Sequence, residues 1–569
     1  MKEPQSGLRS RRRPRACLTG ATLLLAVATA LTLLLAARTF WYLFHSVTNV
    51  PYPDQWVMLE EIRALRAGQS GWSYLWRPYW GHRIVLPRLW MLLSANYFQY
   101  SMLPFVVANV AAQLSMLLAM VLSIRRLFAH RSLLFWLAAI AAAHLLLSSL
   151  QMEILVEGQG IVYTVGYASA VAAIVILGAE FDPWLKLEAR LAIAVLLAII
   201  STAVAATGLF VWPILIFEAW LVGVQPKRLA LLTALTAVIV AAYMIGYNRP
   251  EMGMGIMGAI RHPIQAVAVA AFVLGGPISL YAPWLGVAVG AIGMAAAGGI
   301  TVYFWRTRST TPAAVTLTIV VLLLLGSAAS IAAGRITPEA LAGHTGQPVS
   351  RYMAPTFVFW AALFPVSLTL WKNGRMGRLA AMAVSAVILI LTFGTWNLQW
   401  RMSRAWAQVS QSYDAIASGF LAGVSDQEYM SPIIRDEQYR SRMVDYMREQ
   451  HLSVFAEPRA RWMDRSIGSI APIEKGTRCR ATTSPVRLGG DSADFRVTGT
   501  LTVDGRAPRG RLDILMTDDA GMVNGLARTL PAQSEGSGAE EFFGYARAIS
   551  SQGLRLFVLD RDRLLACPP

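Results

Sequence analysis

The 569-residue chain is short of cysteine, of acid and of charge altogether. Its three cysteines are too few for a disulfide framework or a cluster site. No CxxC, HExxH or GxxxxGK[ST] occurs, which removes the common short signatures of zinc and nucleotide sites. Charged residues make up 15% of the chain against 55% hydrophobic, too few to cover a soluble protein of this length. No internal repeat of the kind that builds transporters from duplicated halves stands out.

What the chain does have is apolar runs of about 20 residues, the length a helix needs to cross the hydrocarbon core. The runs are continuous rather than alternating, so helices rather than a barrel satisfy the backbone in lipid. Residues 8–15, LRSRRRPR, precede the first run at 17–44, which reads as a signal anchor with the N-terminus in the cytoplasm. Further runs lie near 103–124, 132–150, 161–179, 189–206, 208–224, 229–247, 285–304, 312–333, 352–371 and 378–397, making eleven. Between them fall Arg125-Arg126 with Arg131, Lys227-Arg228, Arg306 with Arg308, and Lys372 with Arg375 and Arg378. Alternating from a cytoplasmic start puts all of these on the cytoplasmic side, as the positive-inside rule requires. The formal net charge of +17 is therefore charge that orients a membrane protein, and nucleic acid is not expected as a partner.

Two segments are expected not to cross. Residues 84–99 are short and carry Arg88, which predicts an interfacial or re-entrant helix. Residues 264–282 contain Gly275-Gly276-Pro277 and read as re-entrant or broken, since a crossing there would turn the later basic loops outward. Eleven crossings put everything after about 398 outside. Residues 398–475 read as a helical linker. From 476 to 569 short alternating runs such as DFRVTGTLTV and LRLFVLD predict a small β-sandwich. Cys479 and Cys567 bracket it, and an oxidising compartment would let them pair. The expected architecture is thus an all-α polytopic membrane protein, with a cytoplasmic tail at 1–16, a membrane domain at 17–397 with its first outer loop at 45–102, and a C-terminal β-sandwich.

Ionisable residues near the membrane point to function in such a chain, and they gather on the non-cytoplasmic side. The first outer loop carries Asp54, Glu60, Glu61, His82, Arg83 and Arg88 among Trp56, Trp72, Trp76 and Trp80. The second carries Glu153 and Glu157, a later one Arg249, Glu251, Arg261 and His262, and the last Arg335, Glu339, His344, Arg351 and Tyr352. This layout resembles the GT-C superfamily of membrane glycosyltransferases, whose long first outer loop begins with an acidic residue just past the first helix. Asp54, in PDQW, stands in that place, and Glu153 or Glu157 matches a second acid in the next outer loop. The family pattern of a paired DD or DE is absent at Asp54.

The resemblance implies a polyprenyl-phosphate-linked sugar as donor, a glycan, lipid or protein acceptor, membrane lipids as surroundings, and a bacterial inner membrane location with the C-terminal domain in the periplasm. In its terms Asp54, Glu153 and Glu157 are the catalytic candidates. His82, Arg83, Arg335, Arg351 and Tyr352 are the substrate-binding ones. A carboxylate would take the acceptor's hydroxyl proton or help hold a divalent metal ion. Arginines would hold the phosphate with a planar fork of donors.

Plainer readings stand beside these. Asp54 is placed to cap the helix that follows it. Glu60 and Glu61 fall on that helix's polar face, where solvent would hold them. Most of the tryptophans suit an interfacial belt. His82 reads equally as a satisfied histidine and Arg351 as a headgroup-level helix start. Glu153 and Glu157, four apart, share one helical face. A flippase, a polysaccharide polymerase or ligase, and an assembly protein remain the alternatives to a transferase.

Overall fold

The computed structural model describes residues 20–130, 132–178, 185–247, 255–307, 311–335, 350–374, 376, 378–474, 478–489, 493–506, 511–530, 539–547 and 554–568. The tail 1–16 and Arg131, Arg249, Glu251, Arg308, Glu339, His344 and Arg375 lie outside the described residues.

Among the described residues nine helices are long and apolar enough to cross a membrane: Thr22–His45, Leu103–Leu127, Leu133–Val156, Gly158–Gly178, Leu187–Val204, Pro226–Met244, Pro283–Thr307, Pro312–Arg335 and Ser350–Lys372. The chain is a multi-pass helical membrane protein. The sequence count of eleven adds two further segments, one shorter than this and one that passes only as a bent pair. Ala206–Leu221 is apolar but shorter, and Met382–Gly394 meets Trp396–Ala422 at a bend of 41°.

A helix that is apolar all round is one surrounded by other helices. Ser350–Lys372 is that helix here, buried along its whole apolar window, whereas Pro226–Met244 is mostly exposed at the periphery. The central helix opens on Ser350, Arg351 and Tyr352, so polar side chains stand at the mouth of the bundle's axis.

The segment 264–282 turns back. Gly255–Arg261 and Pro263–Leu274 meet at 113°, and Pro263–Leu274 has 12 residues, roughly 18 Å of helix. Its last carbonyls end inside the bundle, where lipid offers no donor. The Thr356 hydroxyl donates to the Val273 carbonyl at 2.7 Å and the Trp360 indole to that of Leu274 at 2.8 Å, both from the central helix. The segment packs on Pro283–Thr307 through glycine: a Cβ on Gly290 would stand 1.8 Å from the Ala271 carbonyl, the close approach that small residues permit between membrane helices.

The loop 45–102 folds as two helices, Pro53–Arg66 and Val85–Tyr97. The second has 13 residues, too short to span. Arg88 on it is buried and makes a two-bond pair with Glu61, at 2.9 and 2.8 Å. Glu61 is thus not a solvated side chain but the partner that lets Arg88 be buried, while Glu60 pairs with Arg63 at 2.8 Å.

The C-terminal domain is one eight-stranded sheet rather than a sandwich of two. Its strands are β1 (Ile473–Glu474), β2 (Cys479–Arg487), β3 (Asp494–Val503), β4 (Asp513–Thr517), β5 (Val523–Thr529), β6 (Glu540–Arg547), β7 (Arg555–Asp560) and β8 (Arg563–Cys567). They lie in the order β1-β8-β7-β4-β5-β6-β3-β2, antiparallel except for β1 on β8. The sheet curls until β2 returns to the end of β8, where the Ala481 amide meets the Pro568 carbonyl at 3.4 Å. Cys479 and Cys567 are joined there by a disulfide, with their Cα atoms 4.7 Å apart. Alternation along each strand marks a buried and an outer face but not which sheet the buried face closes against, and that is where the sandwich reading departs from the fold. Ile514, Met516 and Phe542 fill the inside of the curl, while their neighbours Leu515 and Phe543 pack outward. The outward set joins residues of Trp396–Ala422 and Glu437–Glu449 in one core.

Candidate functional site

Three stretches far apart in sequence meet at the mouth of the central helix. Asp54 comes from the first loop, Glu153 from the last turn of Leu133–Val156, Glu157 from the junction with Gly158–Gly178, and Arg351 from the start of Ser350–Lys372.

Asp54 is held by the start of Pro53–Arg66. Pro53 suits the first helical position, and the backbone is capped by Gln55, whose amide oxygen accepts from the Tyr52 amide at 3.1 Å. Asp54 is therefore not the N-cap. It sits inside the first turn, where a negative charge is favoured. Its carboxylate is left to face the site. Oδ1 accepts from the Tyr79 hydroxyl at 3.0 Å, and Oδ2 lies 3.8 Å from Arg351 Nη1. The aspartate stays about one-third exposed.

Glu153 and Glu157 are placed by a broken helix. Leu133–Leu146 ends inside the bundle, a single turn of Ser149–Gln151 follows, and Met152–Val156 resumes. Each break strands carbonyls that only protein donors can satisfy. Gln113 Nε2 donates to the Leu146 carbonyl at 2.5 Å and Gln151 Nε2 to that of Leu145 at 3.2 Å. Asn109 Nδ2 donates to the Glu157 carbonyl at 3.0 Å, and Thr164 holds the other end of that amide at 2.7 Å. Gly158 then lets the loop lie against the first-loop helix, since a Cβ there would overlap Gln55 at 2.1 Å.

Arg351 binds the group together, with Nη2 3.3 Å from Glu153 and Nη1 toward Asp54. The Tyr163 hydroxyl stands beside it. Its neighbour Tyr352 takes two bonds from Arg335, at 3.1 and 2.9 Å, and packs edge-on against Tyr163 at 6.0 Å. Arg335 is exposed and lies over the Tyr352 ring. Burial, with the negative charge of Glu153 next to it, pushes Glu157 up to about 8. Burial thus favours its neutral form. Among the described residues no group of three or more His, Cys, Asp or Glu is arranged to hold a metal ion.

A raised carboxyl pKa carries a sign for stability. The folded state holds a proton that the unfolded chain releases, so stability is full below the ordinary glutamate value of about 4.3 and is lost as pH rises toward about 8. Glu157→Gln removes that loss. Its melting temperature should match the wild type at pH 4 and exceed it increasingly up to pH 8. Parallel melting curves for the two proteins across that range would show that Glu157 titrates normally.

His82 and Arg83 do not join the group through their polar atoms. His82 Nδ1 accepts from the Ala206 amide at 3.2 Å, which caps the first turn of Ala206–Leu221, and burial lowers the ring to about 4, so it is a neutral acceptor. Arg83 is buried, and its fork is spent on carbonyls: Nε on Tyr243 at 2.6 Å, and the two Nη atoms on Trp76 and Ile245. It fastens the first loop to the end of Pro226–Met244 as a basic side chain caps a helix C-terminus. Arg83→Lys keeps the charge but not the fork. It should destabilise the protein by about 2 kcal/mol and loosen the loop, with activity per folded molecule little changed. An unaltered melting temperature with lost activity would return Arg83 to the substrate.

Three of the loop tryptophans, Trp72, Trp76 and Trp80, are exposed, while Trp56 is fully buried with its indole on the Pro51 carbonyl at 2.7 Å. Tyr79, Tyr163, Asn109, Gln113 and Gln151 belong to the site and its support and were not picked out from sequence. The signal for the amides was there, because Asn109 and Gln113 are polar residues four apart inside an apolar run.

No family model, no curated protein and no solved structure matches this chain.

Proposed function

We propose that the chain is an integral membrane glycosyltransferase, moving a sugar from a polyprenyl-phosphate donor to a cell-envelope acceptor on the extracytoplasmic face. The observation that carries this reading is the meeting of Asp54, Glu153 and Arg351 at the mouth of the central helix. Asp54 is the base. It is open enough to receive an acceptor hydroxyl and is oriented by Tyr79. The acceptor oxygen attacks the sugar's anomeric carbon as its proton passes to Asp54. The bond from that carbon to the phosphate oxygen breaks, and the electron pair leaves with the phosphate. Arg351 is already shared by two carboxylates, so the leaving phosphate falls chiefly to Arg335, which is exposed and donates to the Tyr352 hydroxyl. Exposed tryptophans of the first loop suit the interface where a lipid-carried head group rests.

The test is direct. The purified protein in lipid nanodiscs is given labelled polyprenyl-phosphate sugars with candidate acceptors, and transfer to a new product is the expected result. Release of no sugar from any such donor, with folding intact, sinks the reading. Reporter fusions after residues 225 and 376 should both mark the cytoplasm, and a periplasmic signal at either would move the site to the wrong side.

A second reading, a flippase for lipid-linked glycans, is favoured by polar groups inside the bundle. His144 lies 2.9 Å from Gln399 and 3.4 Å from Thr32, and Glu218 is buried. Translocation of a labelled lipid without bond cleavage would decide for it.

A further inference from the structure

We propose that the C-terminal sheet is a positioning element of the carboxylate site and that Asp414 is the residue through which it acts. Trp396–Ala422 runs between the two, and consecutive residues on it serve each side. Tyr413 packs against Tyr52 with ring centroids 4.7 Å apart and the rings tilted by 31°, and Tyr52 is the residue before the helix that carries Asp54. Tyr52 and Tyr413 pack in one cluster with Met152, Leu155 and Val156, the short helix that bears Glu153 and leads into Glu157. Tyr413 also lies near Glu157.

Successive helical residues point about 100° apart, and Asp414 is turned to the sheet. It is buried, and two arginines of the domain close on it, Arg511 at 2.5 Å and Arg528 at 3.5 Å. Arg528 is itself fixed to Asp513 of β4 at 2.8 Å. A second contact follows the end of the helix, where the Tyr545 hydroxyl of β6 donates to Asp426 at 3.1 Å. Between them the helix lies flush on the sheet, since a Cβ on Gly419 would stand 3.0 Å from the Tyr545 ring.

The consequence follows from what a buried carboxylate costs. With its two arginines Asp414 is compensated; with either side removed a buried charge is left unpaired. The sheet therefore holds the register of this helix, and that register sets Tyr413 against Tyr52 and the two acidic segments. The site depends on a domain that contributes no reacting atom to it. The proposal rests on the transferase reading only in treating the group as a site of reaction; the coupling itself is independent of the reaction.

The test needs no substrate, so its failure is separable from failure of the transferase reading. Hydrogen exchange is followed in the full-length protein in nanodiscs for wild type, Asp414→Ala, Asp414→Glu and the milder Arg511→Gln, which leaves Arg528 on Asp414. Asp414→Ala should speed exchange by roughly tenfold in residues 50–60 and 150–160, with 103–127 unchanged. Asp414→Glu should restore most of the protection, and Arg511→Gln should fall between. Water admitted beside Glu157 should also lower its raised titration midpoint, read from the carboxyl infrared band that Glu157→Gln removes. Wild-type exchange at 50–60 and 150–160 with an unmoved midpoint would overturn the proposal. So would loosening of all spans alike, which would make Asp414 an ordinary stability residue; if Asp414→Ala does not fold, Arg511→Gln decides by the same two readings.

Discussion

Asp54→Asn should leave the protein folded and inserted while cutting sugar transfer by roughly 100-fold or more, the lower end of what a general base contributes. The substitution separates chemistry from structure because of where Asp54 stands. It lies in the first turn of Pro53–Arg66, and the cap is made by Gln55 on Tyr52. Losing the carboxylate charge near the helix start costs about 0.3–1 kcal/mol. Asn still offers an oxygen to the Tyr79 hydroxyl, which reaches Oδ1 at 3.0 Å, so the side chain keeps its orientation. What Asn cannot do is take up the acceptor's proton. Normal expression with full turnover would remove Asp54 from the base's role and leave Glu153, which shares Arg351 with it, as the next residue to test.

Opening the Cys479–Cys567 bond should destabilise the C-terminal sheet by on the order of 2–5 kcal/mol. The bond ties β2, an outer strand of the sheet order, to β8 beside the other edge. Without it the backbone closure between these strands rests on the bond from Ala481 to Pro568, and an open, curled sheet exposes two edges. The 88-residue separation of the cysteines means that nearly the whole domain is the loop closed in the unfolded chain. Cys479→Ser with Cys567→Ser, or reduction with the sulfurs made accessible, should lower the domain's denaturation midpoint with the helical signal of the spans retained. Equal midpoints with and without the bond would show that the curl holds by packing alone.

The membrane helices were legible in sequence because lipid imposes length and composition directly on each run. The grouping of Asp54, Glu153 and Arg351 was half legible. Each was marked as an ionisable residue expected on one face, but only the fold puts them within an ion pair's reach. His82 and Arg83 were marked by the same rule and are committed elsewhere, because the carbonyls of Tyr243 and Ile245 that Arg83 serves lie about 160 residues further along the chain. A buried arginine and a solvated one look alike in sequence until the partner is known. Glu61 shows the same limit, since its place on the polar side of a helix said nothing of Arg88 waiting on the next one. The C-terminal strands were read from alternation, yet their closure into one curled sheet depends on pairings between strands distant in sequence, such as β3 with β6.

The most direct measurement of the central claim is a double-mutant cycle on sugar transfer between Asp54→Asn and Arg351→Lys. Arg351→Lys keeps the charge but cannot reach Asp54 and Glu153 together with a fork, so each single variant should be strongly impaired. If the two residues work as one unit, the double variant should be scarcely slower than the worse single, as for groups that act in the same step. Losses that multiply, each variant costing its full factor in the presence of the other, would contradict a shared site at the mouth of the central helix.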